Sequence, residues 1–313
     1  VGTPIDEVYR LIGELDALYR GEEAVASLVE FGPGAIGPLS EYLLEGKARK
    51  VFQPRLWAVE ALVRLGARGV LIAFLSQEKE IADPEERFGE EAVASAAARS
   101  LAAWPDEDTR RLLLELSERR LLNGVIEALA EFQTLEAIPY FERALEDDFY
   151  RAVAERAFLK LGAMAGDALS RSAVTPSPNH ARETPGSLER RRRAVRLLKS
   201  MGISAAQWRI LHHLVQEPDT VLAVEAVKLG IGVASSGDRA RMARRLIEVL
   251  TSAPWHLKQD IEESLLALQD EAAGEIDQEI ARRLDQPENV RTLDARLKAL
   301  LRVKRRWEQA SAR

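Results

Sequence analysis

Between Leu135 and Gly162 the chain runs through an apolar helix, an acidic turn at Asp147-Asp148, a second apolar helix from Arg151, and a Leu161-Gly162 stop. Degenerate copies of this unit recur along the chain. Two helices this short cannot bury a core alone, so neighbouring copies must share one. The pattern predicts an all-α array of stacked helical hairpins, a solenoid. Ala and Leu dominate and aromatic residues make up only 6%, which suits close helix packing better than a β-sandwich.

The repeats are delimited by an apolar residue followed by Gly or a substitute, at the end of each second helix. The series is Phe31-Gly32, Leu65-Gly66, Trp104-Pro105, Phe132-Gln133, Leu161-Gly162, Met201-Gly202, Leu229-Gly230 and Leu268-Gln269. Glycine there takes the left-handed conformation that closes a helix without a Cβ clash. Inside the units Ile126, Leu129, Ala130 and Phe132 crowd one helix face. Ala152, Val153, Ala157, Leu159 and Leu161 do the same, leaving Arg151, Glu155, Arg156 and Lys160 for water. Asp106, Ser204 and Asp238 stand where helix caps are needed. With an opening pair over about 4–31 and a closing pair over 270–303, the chain holds about nine hairpins in one array, 1–313.

One segment breaks the period. Residues 172–187 contain Pro176, Pro178 and Pro185 and no helical pattern. They are expected to form an exposed loop joining the two helices of one hairpin, or else a hinge between sub-arrays 1–171 and 188–313. The charge changes sign there. Residues 1–170 carry 31 acidic and 19 basic side chains (−12), and residues 171–313 carry 19 and 25 (+6). Such polarity lets one end dock an acidic partner or another copy, or reflects drift between solvated faces.

Composition excludes several classes. With no cysteine there is no disulfide, thiolate metal site or Cys nucleophile. No apolar run reaches the roughly 18–20 residues that span a bilayer, and the longest, Val221 to Ala234, is interrupted by Glu225 and Lys228. No leader pattern opens the chain, although it starts at Val1 and a trimmed start stays open; a cytoplasmic location is the expectation.

Two units carry a family likeness. Glu136-Ala137-Ile138-Pro139 through Gly162 is one; Gly32-Pro33-Gly34-Ala35-Ile36-Gly37-Pro38-Leu39 followed by Trp57-Ala58-Val59-Glu60-Ala61-Leu62-Val63-Arg64-Leu65-Gly66 is the other. They resemble HEAT repeats, in particular the short bacterial phycobilisome-lyase-type HEAT-like repeats of the armadillo-like superfamily. The resemblance implies a right-handed α-α superhelix whose second helices line a concave wall. It also implies a non-enzymatic scaffold that binds a protein or peptide along that wall. The acidic-turn-then-Arg feature, Asp147-Asp148 to Arg151, has no faithful copy elsewhere. The Trp-Leu-Gly-Tyr signature of tetratricopeptide repeats does not recur.

Candidate binding residues are few. Arg190, Arg191, Arg192, Arg193 and Arg196 form the strongest local charge feature. On a helix they point several ways, so some offer guanidinium forks to carboxylate or phosphate, or the run is a solvated helix start paired with Glu189. Arg302, Lys304, Arg305 and Arg306 around Trp307 suit either an acidic ligand or a polar end cap. His180, His212, His213 and His256 have no metal-ligand spacing, and no cofactor or metal is expected. Gly32-Pro33-Gly34-Ala35-Ile36-Gly37 fits G-x-G-x-x-G but follows a helix, so it is a repeat junction. Trp57, Trp104, Trp208, Trp255 and Trp307 are expected as packing anchors, and Asp83-Glu85-Glu86 with Glu90-Glu91 as a solvated turn. No catalytic motif emerges. The alternative to a scaffold is a HEAT-like nucleic-acid-binding or DNA-glycosylase-type protein, which the pI of about 5.5 disfavours. A lyase or chaperone acting on a tetrapyrrole protein is a third option on family analogy alone.

Overall fold

The computed structural model describes residues 4–17, 19–177, 182–288, 291 and 294–311. Among them the secondary structure is helical throughout, with no strand. The chain divides into two compact units, Val1–Leu161 and Gly162–Arg313.

Unit 1 holds five successive helix pairs: α1 (Pro4–Glu14) with α2 (Gly21–Phe31), α3 (Ile36–Leu44) with α4 (Gln53–Arg64), α5 (Arg68–Ser76) with α6 (Pro84–Ser100), α7 (Glu107–Arg119) with α8 (Asn123–Glu131), and α9 (Ile138–Leu145) with α10 (Arg151–Leu161). Even-numbered helices pack in one row, α2 on α4, α4 on α6, α6 on α8 and α8 on α10. The odd helices α1, α3, α5 and α7 form a second row. Between the rows lies a core of Leu, Val and Ala closed by the Phe141 and Phe158 rings, whose centroids are 5.8 Å apart. Small residues set the spacing within the even row. Ala58 and Ala61 on α4, Ala94, Ala97 and Ala98 on α6 and Ala128 on α8 are all buried, so the backbones approach closely.

Unit 2 continues with four pairs: α11 (Gly166–Val174) with α12 (Pro185–Met201), α13 (Ala205–Leu211, extended by a 3₁₀ turn over His212–Gln216) with α14 (Thr220–Gly230), α15 (Ser236–Val249) with α16 (Trp255–Ala267), and α17 (Gln269–Leu284) with α18 (Ala295–Ser311). Here too the even helices α12, α14, α16 and α18 pack in sequence. α11 and α12 pack extensively on each other, so the Pro-rich segment links the helices of one pair. It is shorter than the sequence indicates: α11 reaches Val174 and α12 starts at Pro185, where a missing N–H is harmless at the first helical position. Residues 178–181, His180 among them, lie outside the described residues.

The helix stops follow backbone chemistry. Gly32, Gly66, Gly162 and Gly202 have φ between 57° and 80°, a positive-φ backbone that glycine adopts without a Cβ clash; at Gly32 and Gly202 ψ is extended (−152° and 156°), so these two stops are not the αL close. Gln133 also has a positive φ, 50°, despite its Cβ. Gln133→Gly is therefore expected to stabilise unit 1 by about 0.5–1 kcal/mol, read as a higher urea midpoint. Gly230 departs from the expected stop and is helical. Its role is close approach: a Cβ there would sit 2.3 Å from Trp208 Cη2. Caps differ in one place. Asp106 and Ser204 cap α7 and α13 as expected, but α15 is capped by Ser235, with Asp238 in its first turn bonding Trp208 Nε1 at 3.3 Å.

Arginines close the helix ends. Arg55 Nη2 donates to Leu43 O at the end of α3 (3.1 Å), Arg151 Nε to Leu145 O at the end of α9 (2.9 Å), and Arg191 Nε to Ala173 O at the end of α11 (2.9 Å). Arg245 on Glu217 O (2.8 Å) and Arg296 on Glu248 O (2.9 Å) extend the device through unit 2. A guanidinium there satisfies carbonyls that the helix leaves open and complements its negative end. Arg151 is thus largely withdrawn from water, contrary to the helix-face reading. Its counterparts were hidden because the equivalence lies in the carbonyl each arginine meets.

Candidate functional site

The arginine run separates into two sets. Arg190 and Arg191 are only 7% and 3% exposed. Arg190 donates to Ser172 Oγ (2.8 Å) and Thr175 O (2.8 Å), and Arg191 to Glu183 (2.8 Å) and to Glu217. These two guanidinium groups brace the α11–α12 pair from inside and do not face solvent. Arg192 forks onto Asp219 at 3.0 and 2.6 Å, Arg193 reaches Glu189 at 2.7 Å, and Arg196 lies 3.9 Å from Glu225. Of the five, Arg196 has the most exposed side chain.

Asp219 also caps α14 through the Leu222 amide (2.8 Å). Burial pushes its carboxyl up, but the Arg192 hydrogen bond and the Leu222 amide outweigh that and hold it below the usual carboxylate range. Asp238, Glu279 and Asp294 of unit 2 are also held low. A carboxyl lowered by folding contributes stability above its unfolded value and loses it as pH falls. Hydrogen-exchange protection of α14 should hold from pH 7 to 5 and fall below about pH 4. Asp219→Asn should flatten that fall.

The other expected features lie as follows. Three of the basic residues of α18 meet acids of neighbouring helices, Arg302 and Arg306 with Glu262 at 3.6 and 3.4 Å and Lys304 with Asp277 at 2.6 Å, while Trp307 is buried. His212 and His213 stand edge to face at 5.9 Å. Gly32–Ala35 form a 3₁₀ turn leading from α2 into α3, whose first residues are Ile36 and Gly37. Trp208 packs on Gly230 and Trp57 on Gly21, but Trp255 is 84% exposed and anchors nothing. The acidic cluster is not a solvated turn: Asp83 caps α6 through the amides of Glu85 and Glu86, and Glu90 is buried.

Two cavities flank α6. The smaller, about 140 Å³, is lined by Phe74, Gln77, Lys79, Glu90 and Arg120 among others. Arg55 reaches Glu90 Oε1 at 3.0 Å, and Lys79 lies 3.8 Å from the same oxygen while donating to Leu44 O (2.9 Å). Both cations lie over the Phe74 ring, at 5.6 and 5.9 Å from its centroid. Burial, with the Arg55 charge, lowers the Lys79 ammonium against the pull of Glu90. The cluster ties α3 and α4 to α6 and is a brace.

The larger cavity, about 280 Å³, opens on the even row. From α6 come Phe88, Glu91, Ala92, Ser95 and Arg99, at intervals that share one helix face. Leu56 of α4, Leu122 and Asn123 at the start of α8, and Phe149 and Tyr150 before α10 complete it. The walls are fixed locally. Gly89 lets the 49–52 segment lie against α6, since a Cβ there would be 2.5 Å from Arg49 O. The Tyr140 hydroxyl accepts the Leu122 amide (2.9 Å) and donates to Leu122 O (3.2 Å), and burial pushes its phenol up to about 12. Asp147 accepts the Phe149 amide (2.8 Å).

Four aromatic rings cross the rim edge to face: Phe52 to Phe88 at 6.2 Å, Phe88 to Phe149 at 6.2 Å, and Phe149 to Tyr150 at 5.0 Å. Phe88 and Phe149 are 52% and 59% exposed. Arg99 is paired with Glu127, which also lies 3.6 Å from Arg156. Glu91 is half-buried and makes no hydrogen bond or ion pair among the described residues. Burial and the Glu91 and Asp147 charges push the Tyr150 phenol up. Asn123 Oδ1 is buried without a donor. Sequence reasoning passed over this site. Its signal was two aromatics, Phe149-Tyr150, where a repeat turn is ordinarily polar, and Phe88 inside a charged helix start.

No protein-family model matches the chain, and no curated protein matches it. Among the described residues no group of three or more His, Asp or Glu converges as a metal site, and no helix is long and apolar enough to cross a membrane.

Proposed function

We propose that the protein is a non-enzymatic scaffold of HEAT-like hairpins whose unit 1 holds a partner polypeptide along its even-helix row, anchored at the 280 Å³ cavity. The observation that carries this reading is the pair of half-exposed rings, Phe88 and Phe149, beside a cavity whose lining also includes Leu56, Ala92, Ala96 and Leu122. Large aromatic side chains left in water beside a concavity mark binding surfaces, because their burial by a partner is favourable. The HEAT-like reading is supported by sequential helix pairs, positive-φ stops and arginines closing the odd helices. In such a solenoid the even row is the wall that partners use. The nucleic-acid alternative has less behind it, since Arg190 and Arg191 are internal and unit 1 carries 30 acidic against 19 basic side chains.

The double variant Phe88→Ser with Phe149→Ser tests the proposal. Both rings are exposed, so folding should be nearly unchanged. A protein captured from lysate of the source cells by the natural chain should be lost at least tenfold with the variant, each ring removing about 1–2 kcal/mol. Equal capture by both proteins would place the partner elsewhere.

A further inference from the structure

We infer that the cavity beneath Phe88, Phe149 and Tyr150 receives a lysine or arginine side chain of the partner polypeptide, with Glu91 as its counter-charge. This rests on the docking reading above and names what is docked.

Charge complementarity argues for a cation. Glu90 is matched with Arg55, Arg99 with Glu127, and Glu127 also lies near Arg156. Glu91 alone of the charged lining side chains has no internal partner, although Arg87, Lys79 and Arg120 border the smaller cavity that it also touches. A half-buried carboxylate with no counter-ion is costly unless a ligand supplies one. Glu91 is thus a half-buried carboxylate without an ion pair within 4 Å among the described residues, in a unit of net charge −11.

The rest of the lining has matching chemistry. Phe88, Phe149 and Tyr150 border the same space as Glu91, and aromatic rings attract an ammonium or guanidinium through their quadrupole while covering its apolar stem. Asn123 Oδ1 adds an acceptor that lacks a donor. At about 280 Å³ the cavity has room for one long side chain. It is open along the even row, so the peptide backbone stays outside.

A random 12-residue peptide library displayed on phage and selected on the whole natural chain tests this. Selected peptides are expected to carry Lys or Arg beside an apolar residue. Glu91→Gln, a near-isosteric change, should weaken them roughly tenfold or more. Replacing the peptide's basic residue by norleucine should cost the natural chain a similar factor and the Glu91→Gln protein little further. If selected peptides lack a basic residue, or Glu91→Gln binds them as well as the natural chain, yet Phe149→Ser still abolishes binding, the cation reading is overturned and the docking reading stands. If peptides bind the Phe149→Ser protein undiminished, both fall. Retained helical circular dichroism in each variant certifies that the loss is local.

Discussion

Arg55→Ala should destabilise unit 1 by about 3–5 kcal/mol, the cost of leaving a buried charge without its partner. The side chain is 2% exposed; it donates to Glu90 Oε1 at 3.0 Å and Leu43 O at 3.1 Å. Its loss strands the Glu90 carboxylate, whose Oε2 is already buried without a donor, and opens the end of α3. Lys79, 3.8 Å from Glu90 Oε1, supplies partial compensation and favours the lower end of that range. Removing both charges, as Arg55→Leu with Glu90→Leu, should recover most of the loss, because two desolvation penalties vanish with one attraction. Denaturant unfolding of the natural chain, the single variant and the double variant measures this. A double variant no better than the single would mean that Arg55 acts chiefly through the α3 carbonyls.

Gly124→Ala is expected to cost about 3 kcal/mol. A Cβ on Gly124 would lie 1.7 Å from Ser95 O, a backbone atom that can move only with α6. Overpacking of this kind forces helices apart at about 1–3 kcal/mol or more. For a unit of this size that corresponds to a fall of roughly 6–12 °C in melting temperature. Ser95 and Asn123 line the larger cavity, so the same change should widen it and weaken partner binding. A small effect on melting would mean that α6 and α8 slide without loss of packing.

These two residues show what could be foreseen from sequence and what could not. Apolar spacing and the Leu-Gly stops locate the helix pairs, because a 3.6-residue period and a left-handed close are local properties of the chain. Arg190 and Arg191 illustrate the limit. As a string they are a charge run, and only the carbonyls of α11 on the facing helix make them internal braces. Gly230 looks like another stop, yet its missing Cβ serves Trp208 across the pair. The larger cavity is the least legible feature, since Phe88, Glu91, Asn123 and Phe149 come from three repeats and meet only when the even helices pack. The degeneracy of the copies hides such a site further, because each repeat contributes a different residue type.

Photocrosslinking tests the central claim most directly. p-Benzoylphenylalanine in place of Phe149, with Arg111 on α7 as the odd-row control, reports which row a partner touches in the source cells. Partner adducts from position 149 and none from position 111 are the predicted result. Adducts from position 111 with none from position 149 would contradict an even-row binding surface in unit 1.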